Sequence, residues 1–235
     1  QIMKRLIIFI MGVMMAVAAT SRTFDMKQLG ADAKGIKPCT KLINQTIERA
    51  ASEGGGTIYF PAGTYLTATI HMKSNITLYL ESGAIVRFSD RFEDYLPFVT
   101  ARWEGTVMQT LSPLIYAHSA DNLTITGRGT LDGNGLKWWL WEFETRKVIK
   151  ENGGKLPSLD KLQQMWVDAN KDLEISDYYK PSLERKMFRP PFIQFYECTN
   201  ILIENVKIIN SPFWTVNPAF CDNVTIHGVT INNPS

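Results

Sequence analysis

Short runs of alternating apolar and polar residues recur along the chain, each introduced by an asparagine. They read Asn75-Ile-Thr-Leu-Tyr-Leu-Glu-Ser-Gly83, Asn122-Leu-Thr-Ile-Thr-Gly127, Asn200-Ile-Leu-Ile-Glu-Asn205 and Asn223-Val-Thr-Ile-His-Gly228. Period two over so few residues predicts short strands. The interval from Asn200 to Asn223 is 23 residues. From Asn75 to Asn122 it is 47, close to two such periods. From Asn122 to Asn200 it is 78, which requires an insertion. A coil of this length built from short strands is the signature of a parallel β-helix. Successive coils then stack about 4.8 Å apart, and equivalent residues form ladders. Asparagine suits the corner before each strand because it tolerates left-handed backbone, and stacked amides can hydrogen-bond along the ladder.

The pattern changes to helical spacing in two places. Thr40 is placed to cap a helix from Lys41 to about Ser52, with Leu42, Ile43, Ile47 and Ala50 or Ala51 on one face, ended by Gly54-Gly55-Gly56. Such a helix is expected to cover the exposed N-terminal end of the solenoid. Between Gly135 and Arg189 the strand pattern disappears. Leu136 to about Glu151 suits a helix, Gly153-Gly154 breaks it, and Ser158 is placed to cap a second helix through about Asn170. This helical insertion, at about 136–188, is expected over one face of the solenoid. Trp138, Trp139 and Trp141 open it; packing of the insertion is favoured over stacking on a sugar.

The chain ends are informative as patterns. Lys4 and Arg5 precede an apolar run from Leu6 to Val17, and Ala16-Val17-Ala18 gives a small-x-small cleavage pattern. Residues 1–21 are therefore expected to be a signal peptide. The run is too short for a stable membrane anchor. The protein is expected to be exported, to a periplasm or to the medium. Residues 22–235 read as the N-terminal part of one β-helix domain. The stop at Asn232-Asn233-Pro234-Ser235, directly after a strand-like run, leads us to expect further coils beyond it.

Composition narrows the function classes. The formal net charge of +2 falls to about zero once Lys4 and Arg5 are set aside, so no nucleic-acid partner is expected. Three cysteines exclude a disulfide scaffold. Cys198 and Cys221 each precede a corner Asn by two residues and should stack as neighbours; buried thiols are favoured, and a bond between them stays open. No metal site and no cofactor are expected, because His71, His118 and His227 are isolated from each other and from cysteine pairs. Of the N-x-T sequons at Asn44, Asn75, Asn122 and Asn223, the last three are explained by the corner geometry. Asp121, Asp132 and Asp222 fit turn-forming or solvated roles better than catalysis.

Four segments resemble glycoside hydrolase family 28, the polygalacturonase family. They are Gly54-Gly-Gly-Thr-Ile-Tyr-Phe-Pro-Ala-Gly-Thr-Tyr65, Ser74-Asn-Ile-Thr-Leu-Tyr-Leu-Glu-Ser-Gly-Ala84, and Ile125-Thr-Gly-Arg-Gly-Thr-Leu-Asp-Gly-Asn-Gly135 with Trp138-Trp139. The fourth is Arg189-Pro190 with Asn210-Ser-Pro-Phe-Trp-Thr-Val-Asn-Pro218. The resemblance covers most of Phe24 to Ser235 outside the insertion. It departs at Ala33-Lys34-Gly35, where the family often has Gly-Asp-Gly, and at Asn217, where relatives often have His. It implies an all-β fold, a right-handed parallel β-helix of the pectin-lyase-like kind. It also implies inverting hydrolysis of galacturonic-acid linkages in a pectic polysaccharide or oligogalacturonide. That reaction takes one carboxylic acid on the leaving oxygen and one carboxylate on a water. The family carries these groups in Asn-Thr-Asp-Gly and a following Asp-Asp pair, and neither motif occurs here. No catalytic residue is therefore expected within the chain; the first is expected just beyond Ser235, within about ten residues, or under half a coil. The substrate-binding candidates are Arg189, Trp214 and Asn217. For Arg189 a salt bridge is an equal alternative, and Trp214 can equally be core. A polysaccharide lyase and a non-catalytic β-helix are the rival readings.

Overall fold

The structure, a computed structural model, describes residues 22–103, 105–174, 181–184 and 186–234. The expected signal peptide, residues 1–21, lies outside them. Three parallel sheets run the length of the solenoid. The first stacks β1 (Arg22–Asp25), β2 (Gly56–Phe60), β5 (Ile76–Leu80), β10 (Asp121–Gly127), β13 (Thr199–Glu204) and β15 (Asp222–His227). The second stacks β3 (Gly63–Thr67), β6 (Ala84–Phe88), β11 (Thr130–Asp132), β14 (Lys207–Ile209) and β16 (Thr230–Asn232). The third stacks β4 (Ile70–His71), β9 (Ile115–His118) and β12 (Ile193–Tyr196), continued by single bridges from Ile193 to Val216 and from Tyr196 to Ala219. Every pairing within these sheets is parallel, so the chain is a parallel β-helix, as the repeat predicts.

Alternation explains the core. Every second residue of a strand points inward, and in-register stacking turns those residues into continuous apolar ladders. One runs Phe24, Ile58, Leu78, Ile125, Ile203, Ile226; another runs Tyr65, Val86, Leu131, Ile208, Ile231. The first four or five members of each are buried. The corner asparagines behave as expected. Asn75, Asn122, Asn200 and Asn223 have φ of 64°, 58°, 53° and 53°. The last three amides each donate to the Oδ1 of the coil before: Asn122 to Asn75 at 2.8 Å, Asn200 to Asn122 at 3.1 Å, and Asn223 to Asn200 at 2.7 Å. The next corner needs glycine at 127, where φ is +115° and a Cβ would lie 2.0 Å from the Leu80 carbonyl oxygen.

The ladder corrects one interval. Asn75 and Asn122 are direct neighbours, so the 47 residues between them form one coil, not two. The surplus is a 3-10 turn (Phe92–Tyr95) and an antiparallel hairpin, β7 (Val99–Trp103) and β8 (Thr106–Thr110). The long interval from Asn122 to Asn200 is likewise one coil, enlarged by helices α2 (Leu136–Glu151) and α3 (Lys161–Asn170). Asp160, not Ser158, caps α3, accepting from the Gln163 N–H at 2.8 Å; the helix begins later than the apolar spacing suggested.

Helix α1 (Thr40–Ser52) buries Ile43, Ile47 and Ala50 against the first coils. Thr40 does not cap it. Its hydroxyl accepts from the Ala68 N–H at 2.7 Å and so ties the helix to the neighbouring coil. Asn44, whose sequon the corner geometry left unexplained, does the same work: its amide donates to the Thr69 carbonyl and accepts from the His71 N–H, both at 2.9 Å. Cys198 and Cys221 are free thiols, both with pKa raised first by burial.

Candidate functional site

The two insertions meet over the third sheet. The outward positions of that sheet stack as His71, Tyr116 and Gln194, with Asn217 next in register. The hairpin lies across them. The Tyr116 hydroxyl donates to the Thr100 carbonyl at 2.6 Å, and burial pushes its pKa up to about 12. The Gln194 amide both donates to the Arg102 carbonyl (2.8 Å) and accepts from its N–H (3.1 Å). Gln194 is wholly buried, and these paired bonds satisfy its amide while fixing the hairpin. Helix α3 holds the hairpin from the other side. Asn170 accepts from the Gln109 N–H at 2.8 Å, and the Trp166 indole donates to the Gln109 carbonyl at 3.0 Å.

Trp138 explains how α2 is anchored. It is fully buried and stacks on Phe92 at 4.0 Å between ring centres, with Tyr95 edge-on at 5.6 Å. The packing role favoured from sequence is therefore the one observed. Trp139 instead donates its indole N–H to the Ser211 carbonyl at 2.9 Å and faces the adjacent cleft.

Between hairpin, α2 and the coil at Phe213 lies a cavity of about 470 Å³. One wall is aromatic: Trp103 stacks on Phe188 at 3.8 Å and 10°, and lies parallel to Phe213 at 5.6 Å and 9°. The other wall is charged. Glu142, buried to 4% exposure, accepts from Arg146 through Oε1 at 2.5 Å and from Lys186 through Oε2; Arg189 Nε lies 3.5 Å from Oε2. Burial alone would raise the Glu142 pKa. The Lys186 hydrogen bond and charge, the Arg146 bond and the Arg189 charge outweigh it, and the carboxyl sits below its ordinary value. Lys186 is pushed down, first by burial and then by the two guanidiniums, against the pull of Glu142. One carboxylate thus faces three cations, and the cluster keeps a positive excess.

The sequence-predicted residues fall around this place. Arg189 lines the cavity and makes the salt bridge that was its alternative reading: it pairs with Glu142, donates from Nη1 to the Pro212 carbonyl at 2.9 Å and lies 4.9 Å over the Phe213 ring. Trp214 lines a contiguous cleft of about 350 Å³ with Trp139, Phe143 and Asn233, and is half-buried. Asn217 is in neither lining; its side-chain amide nitrogen is buried and has no hydrogen-bond partner among the described residues. Glu142, Lys186 and Trp103 were not anticipated. The i,i+4 spacing of Glu142 and Arg146 was the one local signal; the others meet only through the fold. Asp132 keeps the turn-forming role, accepting from the Asn134 N–H at 3.0 Å, but is buried and not solvated: it pairs with Arg87 at 3.0 Å and accepts from Asn210 at 2.8 Å. His118 and His227 sit on the surface beside Glu197 and Glu204. Among the described residues no group of three or more His, Cys, Asp or Glu could hold a metal, and no helix is long and apolar enough to cross a membrane.

A parallel β-helix of three stacked sheets is the architecture of the pectate lyase-like class of solenoids. Within it, the chain belongs to the rhamnogalacturonase A/epimerase, pectate lyase-like family, whose model matches residues 23–233. It is 26% identical over 228 residues to "Probable polygalacturonase" of Vitis vinifera, covering 93% of this chain and 38% of that protein. It is 25% identical over 229 residues to the endo-polygalacturonase of Pectobacterium carotovorum, covering 94% and 50%. The exopolygalacturonase of Thermotoga maritima superposes with a TM-score of 0.72 at 32% identity, over 90% of this chain and 47% of that one. The family 28 exopolygalacturonase of Yersinia enterocolitica shares the fold, with a TM-score of 0.67 at 20% identity, over 92% and 39%. These relatives bear out the resemblance to glycoside hydrolase family 28, and the right-handed solenoid that the resemblance implies is the fold of the structural ones. The chain spans half or less of the length of each of them.

Proposed function

We propose that the protein is an exported pectic glycosidase, periplasmic or secreted, that hydrolyses galacturonic-acid linkages with inversion and works from a chain end. The observation that carries this reading is the cation-lined, aromatic-walled cavity on a solenoid 32% identical to an exopolygalacturonase. An anionic sugar needs a cation for its carboxylate and a flat apolar surface for its ring, and this cavity supplies both. Arg189 is assigned to the substrate carboxylate and Trp214 to a sugar ring; Asn217, which lines neither cavity, is assigned no sugar contact. The end-on mode follows from the hairpin. It covers Tyr116 and Gln194 on the third sheet, so a groove along that sheet is blocked toward the N-terminal coils.

The two carboxylates that inversion requires are proposed to follow Ser235. A further coil of the same 23-residue length would set residues just past Ser235 against Phe213–Asn217. There, about 4.8 Å from the preceding strand, they would face the substrate candidates. The test is release of reducing ends from polygalacturonate by the full-length protein. Turnover that survives EDTA and leaves no unsaturated product supports a hydrolase. Chelator-sensitive formation of unsaturated ends would make it a lyase, and binding without turnover a non-catalytic β-helix.

A further inference from the structure

We propose that the cavity between the hairpin and α2 is a carboxylate-selective subsite for the end sugar, in which Lys186 and Arg189, positioned by Glu142, take the uronate carboxylate. This rests on the pectic-glycosidase reading and names the part of the site that distinguishes a free acid from its ester.

Glu142 organises the cluster. Its Oε1 is taken by Arg146, and its Oε2 by Lys186 with Arg189 beside it. Two oxygens fix three cations; with Lys150 and Glu184, which also line the cavity, four cations face two carboxylates and the charge left over is positive. Lys186 and Arg189 are only 16% and 17% exposed, so water screens that charge poorly. Of the Arg189 nitrogens, Nη1 and Nε are engaged; Nη2 has no protein partner among the described residues. A further carboxylate at the cavity side would reduce that excess and relieve the repulsion that Arg146 and Arg189 exert on Lys186. Glu142 is thus a positioning residue: it holds the cations in place without supplying a contact itself.

The space and the opposite wall fit a single hexuronate. A volume of about 470 Å³ is at the small end of ligand cavities. Trp103, Phe188 and Phe213 line the cavity as a stack of near-parallel rings, and Arg189 lies over the Phe213 ring at the junction with the cations. A pyranose ring with one apolar face and an equatorial carboxylate matches this pairing of walls. A methyl ester removes the charge and adds a methyl group, so it gives Lys186 and Arg189 no counter-ion.

The test is calorimetric titration of the full-length protein with digalacturonic acid and with its methyl ester. The wild type is expected to prefer the acid by about tenfold, the size of a charge-assisted hydrogen bond. Lys186→Met is expected to bring the two affinities within about twofold of each other, while Lys186→Arg keeps the preference. An unchanged acid preference in Lys186→Met, or equal wild-type affinities in a protein that still hydrolyses polygalacturonate, overturns the subsite and leaves the glycosidase reading standing. Absence of binding and of turnover overturns both. Should Lys186→Met fail to fold by thermal melting, Arg146→Gln at the exposed rim decides: a reduced acid preference supports the subsite and an unchanged one overturns it.

Discussion

Removing the Glu142 carboxylate tests the electrostatic account of the pocket. In Glu142→Ala, Lys186 and Arg189 stay largely buried and lose their counter-charge, whereas Arg146, with 70% of its side chain exposed, is rehydrated. Breaking a buried ion pair from one side costs about 3–5 kcal/mol, and the partial exposure of the cluster puts this case at about 3. For a domain of this size each kcal/mol moves the melting temperature about 2–4 °C, so the expected drop is about 6–12 °C at neutral pH. The pH dependence has a definite sign. The folded pKa of Glu142 lies below its ordinary 4.5, so its charge stabilises the fold above that value and the contribution is lost as pH falls through the folded pKa. Melts followed by circular dichroism should therefore show a wide gap between wild type and variant at neutral pH and a narrow one in acid. Glu142→Gln, which keeps an acceptor oxygen but no charge, should fall between. An unchanged neutral-pH melting temperature would refute the reasoning, and a gap that keeps its full size in acid would assign the cost to packing instead of charge.

Other perturbations probe the frame that holds the pocket. Asn122→Ala removes two ladder hydrogen bonds and places alanine at φ 58°, a combined loss of about 2–3 kcal/mol in denaturant unfolding, of which Asn122→Gly should recover the backbone part. Trp138→Ala should cost about 3–5 kcal/mol and raise amide hydrogen exchange throughout α2, because its stack on Phe92 is the insertion's buried anchor. Gly127→Ala should lower soluble yield sharply, since its Cβ would overlap the Leu80 carbonyl oxygen at a corner with no slack.

The solenoid was legible because its signal is local and repeated. Alternation within each strand and asparagine at each corner are visible without knowing what touches what, and the amide ladder followed from spacing. Insertion lengths were harder: the 47-residue interval happened to match two periods, and only the Asn75–Asn122 hydrogen bond shows that a hairpin fills it. The caps misled for a related reason. Thr40 has the right chemistry for a cap, yet a backbone N–H of the neighbouring coil takes its hydroxyl. Arg189 could be singled out by type and position, but its partners could not. Glu142 and Lys186 are 44 residues apart, and the ion cluster exists only once α2 folds back over the coil.

The proposed activity depends on a groove over the third sheet that the hairpin blocks on one side and the cation cluster suits to a uronate. Product analysis of the full-length protein on polygalacturonate, by chromatography and proton NMR from the first minutes, tests it most directly. The prediction is small products of one size released from chain ends, with the anomeric configuration inverted at the moment of release. An early ladder of mixed lengths, a retained anomer or an unsaturated end group would contradict it.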